Sequence, residues 1–328
     1  MRPVILFLCV LCASVANLHA QAADPLKAFD SFIGGTWVAE GEFPGIGRYT
    51  AARTYRKILD GKFIEMEQVM HVGSAQASTV GIIGWDAGKH KIAAWGFSDD
   101  GSLALTECSL TSPDEFVFEG RLVGGVAPGL ARGTFRRTGP DQFAEMVHVK
   151  KYGEWQPRFQ FAFSRRAKPS PSDSTTNATP APELRPLERM VGLWIEEVRL
   201  TNARYTAEFE ARWALGGKFL VSELRMLGTA NAGLRSLSFT SYHAEQKRLV
   251  QYSFNSDGGI LVARVTASSE VPEMVFEGDL VGPRPRTLRL TYRRRDEDTL
   301  TSNTEVQYLG IFQPADNSTW RRKTGGGN

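Results

Sequence analysis

Val117-Phe118-Glu119-Gly120-Arg121-Leu122-Val123-Gly124 returns 158 positions later as Val275-Phe276-Glu277-Gly278-Asp279-Leu280-Val281-Gly282, so the chain contains one stretch written twice. Read with Phe116, the first version puts Phe116, Phe118 and Leu122 on one face and Glu119 and Arg121 on the other, a period of two that belongs to a β-strand. The repetition extends outward in both directions. Gly35-Thr36-Trp37 matches Gly192-Leu193-Trp194, Arg48-Tyr49-Thr50-Ala51 matches Arg204-Tyr205-Thr206-Ala207, and Gly61-Lys62-Phe63 matches Gly217-Lys218-Phe219. Thr134-Phe135-Arg136-Arg137 matches Thr291-Tyr292-Arg293-Arg294. The offset between copies moves only between 156 and 158, and the changes fall in connections. This is the signature of an internal duplication.

Each copy is a succession of short alternating segments separated by turn residues about every ten positions, a pattern of antiparallel all-β structure. Ala93, Trp95 and Phe97 share a face, as do Val250, Tyr252 and Phe254, and the turns Asp99-Asp100-Gly101 and Ser256-Asp257-Gly258 carry the Asp-Gly pair of tight hairpins. Short helices are expected only before the first strand of each copy, over Pro25 to Ile33 and Pro186 to Val191. About ten strands per copy favour closure, which removes exposed edges. The expected fold is therefore all-β: two tandem antiparallel up-and-down barrels, each preceded by a short helix. The expected segments are an export signal over 1–22, a first barrel over 23–166, a linker over 167–186 rich in Pro, Ser and Thr, and a second barrel over 187–328.

Gly35-x-Trp37 and Gly192-x-Trp194 after a short helix, with Arg165 and Arg322 on the last strand, resemble the signature of the lipocalin-like barrels of the calycin superfamily. With Gly-Lys-Phe and the aromatic strand ending in Asp-Gly, the copies are similar to the uncharacterised bacterial family DUF1579 of secreted lipocalin-like domains. The resemblance implies that Arg165 covers Trp37 and Arg322 covers Trp194, as structural pairs at the closed end of each barrel. It implies no activity.

The composition excludes several classes. With 39 basic and 36 acidic residues among 328, no basic run is long enough to follow a nucleic-acid backbone. Arg2, the apolar run Val4 to Cys12 and Ala20-Gln21-Ala22 read as a secretory signal that would be cleaved, giving a secreted or periplasmic protein without a transmembrane segment in its mature chain. His71, His90, His148 and His243 do not stand at metal-ligand spacing, so neither a metal nor another cofactor is expected. The resemblance to barrels extends to the haem-binding nitrobindin group, but His148 alternates with Met146 and Lys150 and reads as a surface histidine. Cys108 has no partner for nucleophilic chemistry, and Asn177-Ala178-Thr179 and Asn317-Ser318-Thr319 are glycosylation sequons that matter only in a eukaryote.

Two groups of residues remain as candidates for binding. Arg136 and Arg137, and likewise Arg293 and Arg294, are consecutive in a strand, so one of each pair is expected to enter the barrel. There it either orients the acid group of an amphiphilic ligand or pairs with an internal carboxylate, Glu67 or Glu223, unless a bulge turns both arginines outward. The second group is an inner aromatic lining of Tyr49, Trp95, Phe97 and Phe118 in the first copy and Tyr205, Trp213, Tyr252, Phe254 and Phe276 in the second. It either fills the barrel or walls a cavity for a small hydrophobic or amphiphilic molecule. Three functions stay open: an exported ligand-binding protein, an isomerase, cyclase or hydrolase using Glu67 or Glu223, and a filled interaction module. The pattern leans away from an enzyme.

Overall fold

The computed structural model describes residues 24–125, 128–166, 179–200, 203–228, 233–268, 270 and 273–323, without the side chains of 197–200, 203–205 and 228. The expected export signal, most of the expected linker and the side chain of Tyr205 lie outside the described residues.

Ten strands form the first barrel: β1 (Thr36–Phe43), β2 (Gly47–Ile58), β3 (Phe63–Val72), β4 (Ala75–Asp86), β5 (Lys91–Ser98), β6 (Leu103–Ser112), β7 (Glu115–Val123), β8 (Gly129–Gly139), β9 (Gln142–Lys151) and β10 (Glu154–Arg166). Ten more form the second: β11 (Gly192–Leu200), β12 (Ala203–Ala214), β13 (Phe219–Gly228), β14 (Arg235–His243), β15 (Arg248–Asn255), β16 (Ile260–Ala267), β17 (Glu273–Val281), β18 (Arg286–Arg294), β19 (Thr299–Tyr308) and β20 (Ile311–Arg322). Each strand pairs antiparallel with the next, and β10 closes on β1 and β20 on β11. Among the described residues the helices are 3₁₀, led by Lys27–Phe32 and Pro182–Met190 before the two first strands. The second begins inside the stretch expected to be linker, with Pro182 at its first position, and Pro186, the expected start, lies within it. No helix among the described residues is long and apolar enough to cross a membrane.

The repeated Gly-x-Trp has a local cause. Trp37 pairs with Arg165 across β1 and β10, and the guanidinium lies 4.5 Å over the indole; Arg322 lies 4.4 Å over Trp194. Each indole N–H donates to the end of the preceding helix, Trp37 to the Phe32 carbonyl and Trp194 to the Met190 carbonyl, both at 2.9 Å. The glycine two residues earlier leaves room for the arginine: at Gly192, with φ +128°, a Cβ would stand 2.5 Å from Arg322 Nη1. In the repeated Val-Phe-Glu-Gly, Gly120 and Gly278 sit where a Cβ would collide with the Leu105 and Val262 carbonyls of the neighbouring strand.

Three buried clusters hold the molecule. One fills the second barrel, one lies inside the first, and a third joins the two barrels. This seam corrects the expected inner lining. Trp95 and Phe97 of β5, and Tyr252 and Phe254 of β15, turn outward and are buried against the opposite barrel. The contacts are reciprocal. Phe254 meets Phe63 and Trp95 at 5.4 and 5.2 Å, while Phe97 meets the equivalent Phe219 and Tyr252 at 5.6 and 6.0 Å. Phe97 also stacks on Phe239 at 4.0 Å. The same patch of each copy therefore faces its counterpart, the arrangement of an isologous dimer within one chain.

Candidate functional site

With its aromatics spent on the seam, β5 presents Ala94 and Gly96 to the interior of the first barrel. Gly81 of β4, Ala104 of β6, and Ala131 and Gly133 of β8 are equally small, and with Thr106 of β6 they line a cavity of about 240 Å³. Phe29 and Phe32 of the entry helix, with Phe116, Phe118 and Phe135, supply the apolar wall. In the second barrel the positions equivalent to Ala104, Ala131 and Gly133 are Leu261, Leu288 and Leu290, which lie in or against its packed core. Side-chain volume at three inward positions separates the hollow copy from the fuller one.

One wall of the cavity is polar. Arg53 of β2, 5% exposed, donates from Nη2 to Glu145 Oε2 of β9 at 2.7 Å, from Nε to Gln68 Oε1 of β3 at 2.8 Å, and from Nη1 to the Tyr55 hydroxyl at 3.1 Å. Its guanidinium lies 4.6 Å over Phe163 and within 6.0 Å of Phe135 and Phe143. Burial works against the charge, yet Glu145 and Tyr55 outweigh it and hold Arg53 protonated above the ordinary arginine value. Burial also pushes the Tyr55 hydroxyl above its usual value, keeping it a donor. The second copy has Phe209, Ser302, Leu224 and Ala211 in place of Arg53, Glu145, Gln68 and Tyr55, so this network belongs to one barrel only.

The arginines expected inside lie elsewhere. Arg136 is exposed and pairs with Glu115 at 3.1 Å; Arg137 shares a face with Phe135 but reaches the rim, where it binds Asp114 at 2.6 Å. Arg293 pairs with Glu273 at 2.5 Å, and Arg294 donates to the carbonyls of Asp296 and Glu297. Parity sends one residue of each pair inward, but these pairs sit near strand ends, where inward means the barrel mouth. Glu67 and Glu223 face the space between the barrels, beside Arg56 and Arg225. Tyr49 is inside, stacked on Phe43 at 4.3 Å with its hydroxyl donating to the Gln160 carbonyl, and Phe118, Trp213 and Phe276 are also interior. His148 lies on the outer side of β9 opposite Arg132, and Cys108 is a buried thiol pushed up to about 12 by burial.

No family model and no curated protein matches the chain. Among solved structures, Rv2717c from M. tuberculosis is similar over 44% of this chain and 100% of its own, at 15% identity and a TM-score of 0.34. A protein of unknown function from the DUF3598 family of Nostoc punctiforme is similar over 92% of this chain and 99% of its own, at 9% identity and a TM-score of 0.26. Likeness at this level bears on neither chemistry nor ligand.

Sequence reasoning missed Arg53, Tyr55, Gln68 and Glu145, although a signal was present. All four stand where the copies differ, each replaced in the second copy by a smaller or apolar residue. A buried charge retained in one of two duplicated cores marks the copy with a special interior.

Proposed function

We propose that this chain is an exported, lipocalin-like protein of the kind resembling DUF1579, and that its first barrel binds a small, neutral, mainly apolar molecule. The observation that carries the reading is the 240 Å³ cavity with its apolar wall and the Arg53–Glu145 pair at one side. An apolar cavity of about 150 Å³ takes benzene, and drug-sized sites start near 300 Å³, so a one- or two-ring molecule fits and a long-chain fatty acid does not. Arg53 already has its carboxylate. A second acid would leave an unbalanced negative charge in a mainly apolar site, which favours an uncharged occupant. Tyr55 accepts from Arg53 and keeps its own proton for an acceptor on the ligand.

Burying ~250 Å² of an indole-sized molecule at ~25 cal/mol per Å² amounts to about 6 kcal/mol, an affinity of tens of micromolar before ordering costs. Calorimetric titration with indole and with palmitate tests the reading. Indole is expected to bind in the 10–1000 μM range, and palmitate not at all. The variant carrying Ala104→Leu and Ala131→Leu, which copies the second barrel, should remain folded and lose indole binding. Failure of indole and other neutral one- and two-ring compounds to bind, or unchanged binding in the filled variant, overturns it.

The catalytic alternative lacks its groups in this arrangement. Glu67 and Glu223 reach neither barrel interior and stand beside arginines outside the cavity.

A further inference from the structure

The Arg53 network ends on a hydroxyl with a hydrogen to spare. Arg53 Nη1 donates to the Tyr55 oxygen at 3.1 Å, so that oxygen is an acceptor here and its own hydrogen is free for another group. Among the described residues this hydrogen has no acceptor, although Tyr55 is only 8% exposed and lines the 240 Å³ cavity. The nearby side-chain oxygens are engaged with Arg53: Glu145 takes its Nη2 at 2.7 Å, and Gln68 takes its Nε at 2.8 Å. Elsewhere in the lining the hydroxyls have partners within the wall. Thr79 Oγ1 lies 3.0 Å from Ser98 Oγ, and Thr106 Oγ1 donates to the Ala94 carbonyl at 3.4 Å.

A buried donor without an acceptor is costly, and such groups are rare in folded proteins. This one is also a strong donor. A hydroxyl that accepts from a guanidinium is polarised, and the bond it offers in turn is strengthened. The proton nevertheless stays on the oxygen, because burial, opposed by Arg53 and helped by Glu145, holds Tyr55 above the ordinary tyrosine value. The second copy, whose interior carries Leu261, Leu288 and Leu290, has Ala211 at this place, so the hydroxyl accompanies the cavity.

The rest of the cavity limits what can meet this proton. Arg53 already has a carboxylate, which disfavours an acid, and the facing wall of phenylalanines offers no strong acceptor to an occupant with hydrogens of its own to donate. A carbonyl oxygen on a flat ring skeleton meets both conditions: it presents lone pairs to the hydroxyl and brings no hydrogen that needs a partner. We propose that Tyr55 sets the specificity of the first barrel, and that the occupant is a one- or two-ring carbonyl compound whose oxygen accepts from the Tyr55 hydroxyl. This rests on the ligand-binding cavity proposed for the first barrel and names the chemistry of its occupant. Indole fills the space; a carbonyl compound of the same size also satisfies the polar wall.

The experiment is calorimetric titration of the whole protein with indane and 1-indanone, which share a frame and differ by one carbonyl, on the parent and on Tyr55→Phe. In the parent, 1-indanone is expected to bind at least as tightly as indane, although water solvates the ketone better. In Tyr55→Phe the ratio of the two affinities should move towards indane by about tenfold, the worth of one buried hydrogen bond. Circular dichroism and the unfolding midpoint report that the variant is folded. The infrared stretch of the bound carbonyl is a second measurement that needs no variant. In the parent it should lie below its position in hexane, as it does in an alcohol, and in Tyr55→Phe it should return towards the hexane position. A shift in the affinity ratio below about threefold, or a stretch at the hexane position in the parent, overturns the assignment of Tyr55, while binding of indane and indole would leave the cavity itself standing. Failure of indane, indole and 1-indanone alike to bind removes both.

Discussion

Replacing Glu145 by glutamine removes the one full negative charge that meets Arg53 inside the first barrel. Both side chains are buried, at 6% and 8% exposure, and are joined at 2.7 Å. Losing one partner of such a pair costs about 3–5 kcal/mol, because the remaining ion is left uncompensated. Glutamine keeps one acceptor, and Gln68, Tyr55 and the Phe163 face still hold the guanidinium, so the lower end, ~3 kcal/mol, is expected. With a urea slope of ~3 kcal/mol per M, the midpoint of the transition that unfolds the first barrel falls by about 1 M. The double variant Arg53→Met with Glu145→Leu should return to within ~1 kcal/mol of the parent or exceed it, since a packed apolar pair avoids the desolvation of two ions. The second barrel already uses Phe209 at the position of Arg53. The assay is urea unfolding followed by tryptophan fluorescence on the parent, Glu145→Gln, Arg53→Met, Glu145→Leu and the double variant, the last three read with the parent as a thermodynamic cycle. A loss below about 1 kcal/mol in Glu145→Gln, or a double variant as unstable as the single ones, refutes the view that mutual compensation holds this pair in the barrel.

Phe97→Ala should cost about 3–5 kcal/mol, because it empties a fully buried place stacked on Phe239, and light scattering should show the loosened seam as weaker cohesion of the barrels during urea unfolding. Arg165→Met should cost ~1–2 kcal/mol through loss of the contact over Trp37, measured by the same unfolding curves. Glu65 binds its proton more tightly folded than unfolded, since burial raises its pKa; its contribution is full below the ordinary glutamate value and is lost as pH rises through its own higher value. Glu65→Gln should therefore flatten the fall in stability over that window, and an unchanged slope in urea midpoints against pH would refute it. The Cys108 thiol, pushed up to about 12, should resist alkylation in the native protein and react once urea is added, as read by mass spectrometry of its peptide.

Much of the fold was legible in order of residues. Alternation along Phe116 to Leu122 identifies a strand, and the second appearance of the pattern identifies a second copy; ten short segments per copy leave closure as the way to satisfy the edges. The Gly-x-Trp and last-strand arginine were legible too, since both members stand at strand ends that closure brings together. The binding residues were less so. Alternation places Arg137 on the inner face but does not say how far along the barrel it stands, and Asp114 at the rim claims it. Arg53 drew no notice because its partner Glu145 lies 92 positions away, on a strand that is not its sequence neighbour.

By itself the sequence determined the duplication, the strand periodicity and the large-small alternation of β5 and β15, because these follow from local geometry and from side-chain order. Which face of those strands is the inside was decided only by tertiary structure. A strand buried on both sides offers two dry faces, and periodicity cannot distinguish the interior of a barrel from the flank pressed against its twin. Closure turned Ala94 and Gly96 inward and left a cavity; docking buried Trp95 and Phe97 outside. The same docking brought Arg56 and Glu223, from different copies, to one cleft.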